Sequence, residues 1–191
     1  VFVLPGAMGV EDRNATNLPI FVRGDHERPG EIQPRHFPRA LSDGKPISGK
    51  SSGRLELARW IANRDNPLTA RVMVNRVWRW HFGRGLVATT DNFGKLGAKP
   101  SHPELLDWLA AWFMENGWSV KKLNRLILSS ATFQMSSTAN AAALKIDPNN
   151  HLHSRAPLRR MEAEPLRDSL LQISGQLDTK VGGTIWTFEN Y

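Results

Sequence analysis

The 191-residue sequence has no cysteine. That absence excludes disulfides, CxxC redox chemistry, thiolate zinc sites and covalent c-type haem attachment within this chain. Tyrosine is nearly missing as well, with one residue against seven tryptophans. No apolar run approaches the roughly 18 residues that a membrane-crossing helix needs. The zinc-protease pattern HExxH does not occur, and His151-x-His153, in a polar stretch, does not by itself make a metal site. No cofactor is indicated. The chain opens Val1-Phe2-Val3-Leu4-Pro5 rather than with Met, so it is silent about any targeting leader.

A formal net charge of +7 favours acidic partners such as nucleic acid or anionic polymers. The positive residues are nevertheless dispersed. Arg155, Arg159, Arg160 and Arg167 are interleaved with Glu162, Glu164 and Asp168, the pattern of a solvated or ion-paired face. Nucleic-acid binding through a basic surface is therefore the weakest of the functional readings.

Residues 1–53 carry six of the twelve prolines, at 5, 19, 29, 34, 38 and 46, with seven glycines between them. Proline removes a backbone donor and restricts the residue before it, so an extended, loop-rich arm is expected here. A short strand is expected at Leu18–Arg23, ended by Gly24-Asp25. From residue 54 to 191 the pattern becomes helical. The expected fold is mainly α, an irregular helical bundle with that N-terminal arm and at most a minor strand pair.

Leu55, Leu57, Ala58, Trp60 and Ile61 predict a helix over 53–63, broken by Asn66-Pro67. A second helix is predicted from Thr69 to Phe82 and closed by Gly83, with apolar residues on more than one face. Ser101-His102-Pro103-Glu104 reads as a capping box opening a third helix, which ends at Gly117. Ser119 is placed to cap a fourth, with Val120, Leu123, Leu126 and Ile127 at helical spacing. Asp147-Pro148 reads as another helix start. A last helix is expected over 159–174, burying Leu166, Leu170, Leu171 and Ile173, with Pro165 either kinking it or confining its regular part to residues after about 162.

Several short patterns invite chemistry. Gly44-x-x-x-x-Gly49-Lys50-Ser51 is a literal phosphate-loop match, but no buried strand precedes it and no later apolar strand ends in Asp, so a linker is the better reading. Arg23-Gly24-Asp25 reads as a turn, and Asn14-Ala15-Thr16 as a chance glycosylation pattern. The one candidate polar network comprises Arg71, Asn75, Arg76 and His81 on the second helix with Glu162 and Glu164 near the last. Because an unpaired buried charge is very costly, Arg71 or Arg76 is expected to pair with Glu162 or Glu164 in the core. The catalytic residues, if any, are unknown.

Taken together, Arg54-Leu55-Glu56-Leu57-Ala58-Arg59-Trp60, Asn66-Pro67-Leu68-Thr69-Ala70-Arg71-Val72, Asn75-Arg76-Val77-Trp78 and His81-Phe82-Gly83-Arg84-Gly85-Leu86-Val87 form a recognisable set. Asp91-Asn92-Phe93-Gly94, Pro100-Ser101-His102-Pro103-Glu104-Leu105-Leu106-Asp107-Trp108-Leu109 and Arg160-Met161-Glu162-Ala163-Glu164 extend it. With these motifs the chain resembles the domain of unknown function 1553 family of large exported, planctomycete-type proteins, which often carry a cytochrome c-like domain. The resemblance implies export, a multidomain parent and a domain continuing beyond Tyr191. It supplies no reaction and no catalytic residues. Three functions remain open: a structural or interaction domain whose partners are other domains of the parent, including a cytochrome c-like domain; part of an enzyme acting on an extracellular polymer such as polysaccharide; and anionic-polymer binding.

Overall fold

A computed structural model describes residues 11–12, 15–47 and 51–180. The chain is mainly α-helical with one two-stranded antiparallel sheet. Strand β1 (Leu18–Phe21) pairs with β2 (Pro29–Gln33) in the register Leu18 opposite Gln33 and Pro19 opposite Ile32. A single helical turn at Val22–Gly24 follows β1, so the expected strand stops two residues early. The cause is local: Arg23 and Gly24 both take left-handed backbone conformations, which no strand accommodates.

Helix α1 (Arg54–Ile61) buries no residue fully. Its Trp60 stacks on Phe37 at 4.9 Å with the rings 8° from parallel, and this contact lays the preceding segment on the helix. Asn66 then prepares the next helix. Its Oδ1 accepts the N–H groups of Leu68 and Thr69 at 3.0 and 3.2 Å, satisfying donors that a helix start leaves unpaired.

Helix α2 (Thr69–Phe82) is the axis of the molecule. Ala70, Val74, Val77, Trp78 and Phe82 are buried, recurring at the three- and four-residue spacing of one helical face. Gly83, with φ 79°, closes it by donating its N–H to Arg79 O at 2.7 Å. Helices α3 (Pro103–Glu115) and α4 (Val120–Leu128) pack against it. They contribute Leu106, Leu109, Ala110 and Phe113, and Leu123 and Ile127, to one cluster completed by Leu86 and Val87 from the loop after α2.

Ser119 caps α4, its side chain accepting the Lys122 N–H at 3.3 Å. The capping box expected at α3 does not form. Ser101 spends both its N–H and its hydroxyl on Leu86 O, at 2.8 and 3.2 Å, and His102 occupies the cap position without capping the helix through its side chain. The residue that was to cap α3 instead fastens its start to the loop after α2.

Helix α5 (Ala141–Ile146) is a short element that the sequence pattern did not announce, capped by Asn140 Oδ1 accepting the Ala142 N–H at 2.8 Å. Asp147 follows it rather than opening a new helix: its carboxylate accepts the N–H groups of His151 and Leu152 at 2.9 and 2.6 Å. Helix α6 (Ala163–Ile173) begins four residues later than the earlier limit of its expected span. Pro165 lies in its first turn, where a missing N–H costs no intrahelical bond, so it limits the helix rather than kinking it. Of the burial expected along α6 only Leu171 shows any, and that partial; Leu166, Leu170 and Ile173 are 50, 61 and 84% exposed. Among the described residues nothing covers that face.

Candidate functional site

The six candidate network residues do not form one network: Arg71, Arg76 and Asn75 each have a separate partner, His81 and Glu162 share a groove, and Glu164 is exposed. Arg71 donates to Asp107 Oδ1 at 2.7 Å and to Pro67 O at 2.7 Å. Arg76 lies 3.6 Å from Asp91. Neither pairs with Glu162 or Glu164, both of which are exposed. The expected buried ion pairs are thus replaced by half-exposed ones with nearer acids, where no charge has to leave water and the net worth of each pair is small.

Asn75 is fully buried and serves the backbone. Its Nδ2 donates to Val87 O at 3.0 Å while its Oδ1 accepts the Val87 N–H at 2.8 Å. A side-chain amide here does what a neighbouring strand would do, holding the loop after α2 against the helix. Gly85 belongs to the same clamp, since an added Cβ would stand 2.6 Å from Val87 O and 2.7 Å from the Asn75 amide nitrogen.

His81 and Glu162 do come together. They line one open groove of about 430 Å³ whose walls include Trp80, Phe133, Met161 and Pro165. His81 Nε2 is 2.8 Å from Asn124 Oδ1 on α4, and its ring stands edge-on to Phe133. Arg159 reaches across to Trp80 O at 2.5 Å, placing a cation at the carboxyl end of α2, where the helix dipole favours one. Trp80 at the rim is 68% exposed, and Leu158 and Met161 are exposed beside it. The groove is apolar with a basic margin and a single carboxylate.

A second constellation was not visible from sequence spacing. The loop after α5 brings His151 and His153 back to the end of α2. The His153 ring packs edge-on to Trp78 and Phe82, with centroids at 5.3 and 5.0 Å, and lies 5.8 Å from the His102 ring at the head of α3. Arg84 donates to His151 Nε2. Burial, then the neighbouring His102, holds the His153 imidazole below its ordinary range. The only hint in the sequence was the His-x-His spacing, read there as a poor metal site. Among the described residues no three acidic or histidine side chains are placed to share a metal ion.

The phosphate-loop match runs through residues 48–50, and Asn14 of the glycosylation pattern is likewise outside the described residues. Arg23-Gly24-Asp25 forms a turn: the Asp25 N–H donates to Val22 O, and Asp25 Oδ1 accepts the Glu27 N–H at 3.0 Å. No helix among the described residues is long and apolar enough to cross a membrane.

A family model described as PSD1, protein of unknown function (DUF1553), matches residues 53–191. No curated protein and no solved structure matches the chain.

Proposed function

The chain belongs to the DUF1553 family of proteins of unknown function, and from that premise we propose that it is a non-catalytic interaction domain of a larger exported protein. The observation that carries this reading is the uncovered apolar face of α6 beside the Trp80 groove. Leu166, Leu170 and Ile173 fall at four- and three-residue spacing along one side of the helix, and all are exposed. Large contiguous apolar surface is uncommon on a domain that works alone and marks a place where another element docks. The partner we infer is another domain of the same parent chain, with the cytochrome c-like domain implied by the resemblance as one such module. Export rests on the same resemblance.

The alternatives have less support. Glycoside hydrolysis needs two carboxylates about 5–10 Å apart across a cleft. The cavities lined by Trp80, by Trp60 and by Thr90 hold one carboxylate at most, Glu162 in the first and Asp91 in the last. For nucleic-acid binding the arginines would have to be free, yet Arg54, Arg71, Arg76 and Arg167 all sit beside aspartates.

Hydrogen exchange compared between this chain alone and the intact parent protein tests the reading. Amides of α6 and of residues 156–162 should exchange at least about tenfold more slowly in the parent, as docking removes their local opening. Equal rates in the two contexts would rule the docking face out.

A further inference from the structure

We propose that the small basic pocket between Arg84, Ser101, Asn149, His151 and His153 is a binding site for a compact oxyanion, with inorganic phosphate or a phosphomonoester as the class of ligand. It lies beside the apolar groove but does not depend on the docking reading. The cavity has a volume of about 90 Å³ and is floored by Phe82. That is room for a few ordered waters or for one small tetrahedral anion.

The chemistry of the lining is one-sided. Arg84, His151 and His153 line the space with Ser101 and Asn149, and no acidic side chain lines it. Among the described residues Arg84 forms no ion pair with a carboxylate. Its guanidinium is instead directed at His151 Nε2. A guanidinium is a planar fork of donors suited to oxyanions, and pairing it with an imidazole leaves most of those donors unused. When an anion enters, the guanidinium donors that His151 does not occupy are free to turn to it.

The pocket is also braced in advance. The loop that delivers the imidazoles holds Asn150 and His153 in left-handed backbone conformations, φ 52° and 54°, which are less comfortable for a side-chain-bearing residue than for glycine. Three sets of bonds over-determine that shape. Asp147 accepts the N–H groups of His151 and Leu152. The Asn150 amide donates to Arg155 O at 2.8 Å and accepts the Arg155 N–H at 3.2 Å. Arg155 in turn donates to Pro148 O at 2.9 Å. Asp147 spends its carboxylate on the backbone and does not line the cavity, although its charge still reaches His153 and tempers the positive field there.

The groups facing His153 are His102 from α3, Arg84 from the end of α2, and Asp147 and His151 from its own loop. Three of the four are cationic or become so on protonation. Burial, then the neighbouring His102, holds the His153 imidazole below its ordinary range, and an anion bound beside it would act in the opposite direction.

The test is a titration of the full chain with inorganic phosphate, followed through the imidazole nitrogen–proton correlations, with sodium chloride at matched ionic strength as the control. The expected result is a saturable shift at His151 and His153, with the His153 midpoint of protonation moved upward and the signal of the exposed His26 unmoved. Arg84→Gln should weaken the affinity by about tenfold, the effect of losing one charge-assisted contact. His151→Gln, which leaves the Arg84 side chain in place, should weaken it as well and provides a reading if Arg84→Gln does not fold. Glycerol phosphate distinguishes the source of the anion: saturation by both ligands assigns an ester-bearing partner, and saturation by phosphate alone assigns the free ion. Shifts that stay linear, that His26 shares, or that both variants leave unchanged would overturn the site.

Discussion

Asn75 and Val87 are joined by two hydrogen bonds in the driest part of the molecule, the amide of one side chain matching the N–H and C=O of one distant residue. Replacing Asn75 by Leu keeps the volume but strands both backbone groups of Val87. Each unsatisfied buried group costs about 1–3 kcal/mol. The urea midpoint of Asn75→Leu should therefore fall clearly, with the slope of the transition unchanged. Gly85→Ala should lower it too, because the new methyl meets backbone and a fixed amide rather than a movable chain end.

Phe113 is among the most deeply buried side chains of the cluster. Phe113→Ala should cost about 3–5 kcal/mol, as expected for a large ring removed from a packed interior. Ile173→Ala, on the uncovered side of α6, should change the stability of the chain by about 0.5 kcal/mol or less. A comparable loss at both positions in chemical denaturation would mean that α6 is part of the same interior.

Arg71 and Asp107 link α2 to α3 at the surface. Asp107→Asn should cost less than about 1 kcal/mol, and the difference should shrink in high salt. A large, salt-insensitive loss in thermal melts would indicate that the pair is desolvated.

His153 should protonate below the ordinary histidine value of about 6.5, because burial and neighbouring positive charge disfavour its cation. The unfolded chain then binds a proton that the folded chain refuses. Stability is therefore full above the unfolded-state value and declines as pH falls toward the lowered folded-state value. In His153→Phe that part of the pH dependence of the melting midpoint should vanish.

Much of the helical body is legible in the sequence because its signals are local. Val74, Val77, Trp78 and Phe82 repeat at helical spacing, and Gly83 and Gly117 take the left-handed conformations that end α2 and the α3 turn. Strand β2 escapes such reading since Pro29-Gly30 opens it and almost no residue of it is buried, so there is no alternation to see. Helix α5 is six residues long, too short for a periodic stripe. At Ser101 a valid local rule lost to a tertiary contact with Leu86.

The polar residues were harder for the same reason. Choosing Asp107 over Glu162 as the partner of Arg71 requires knowing how α2 and α3 cross, and gathering His102 with His153 requires the path of a loop many residues away. Nothing at Asn75 announces a backbone partner. Which partner each of these polar side chains meets depends on packing.

Arg159 on Trp80 O and the His153 ring against Trp78 and Phe82 are what fasten the later part of the chain to the three-helix body. Because Phe133 still packs on the core, the described residues after about 136 form the separable cooperative unit, able to open at a lower free energy than the whole. Each opening would bare Phe82 while α2, α3 and α4 stay closed. Limited proteolysis should accordingly cut first near residues 136–140 and leave a trimmed, still-folded helical remnant.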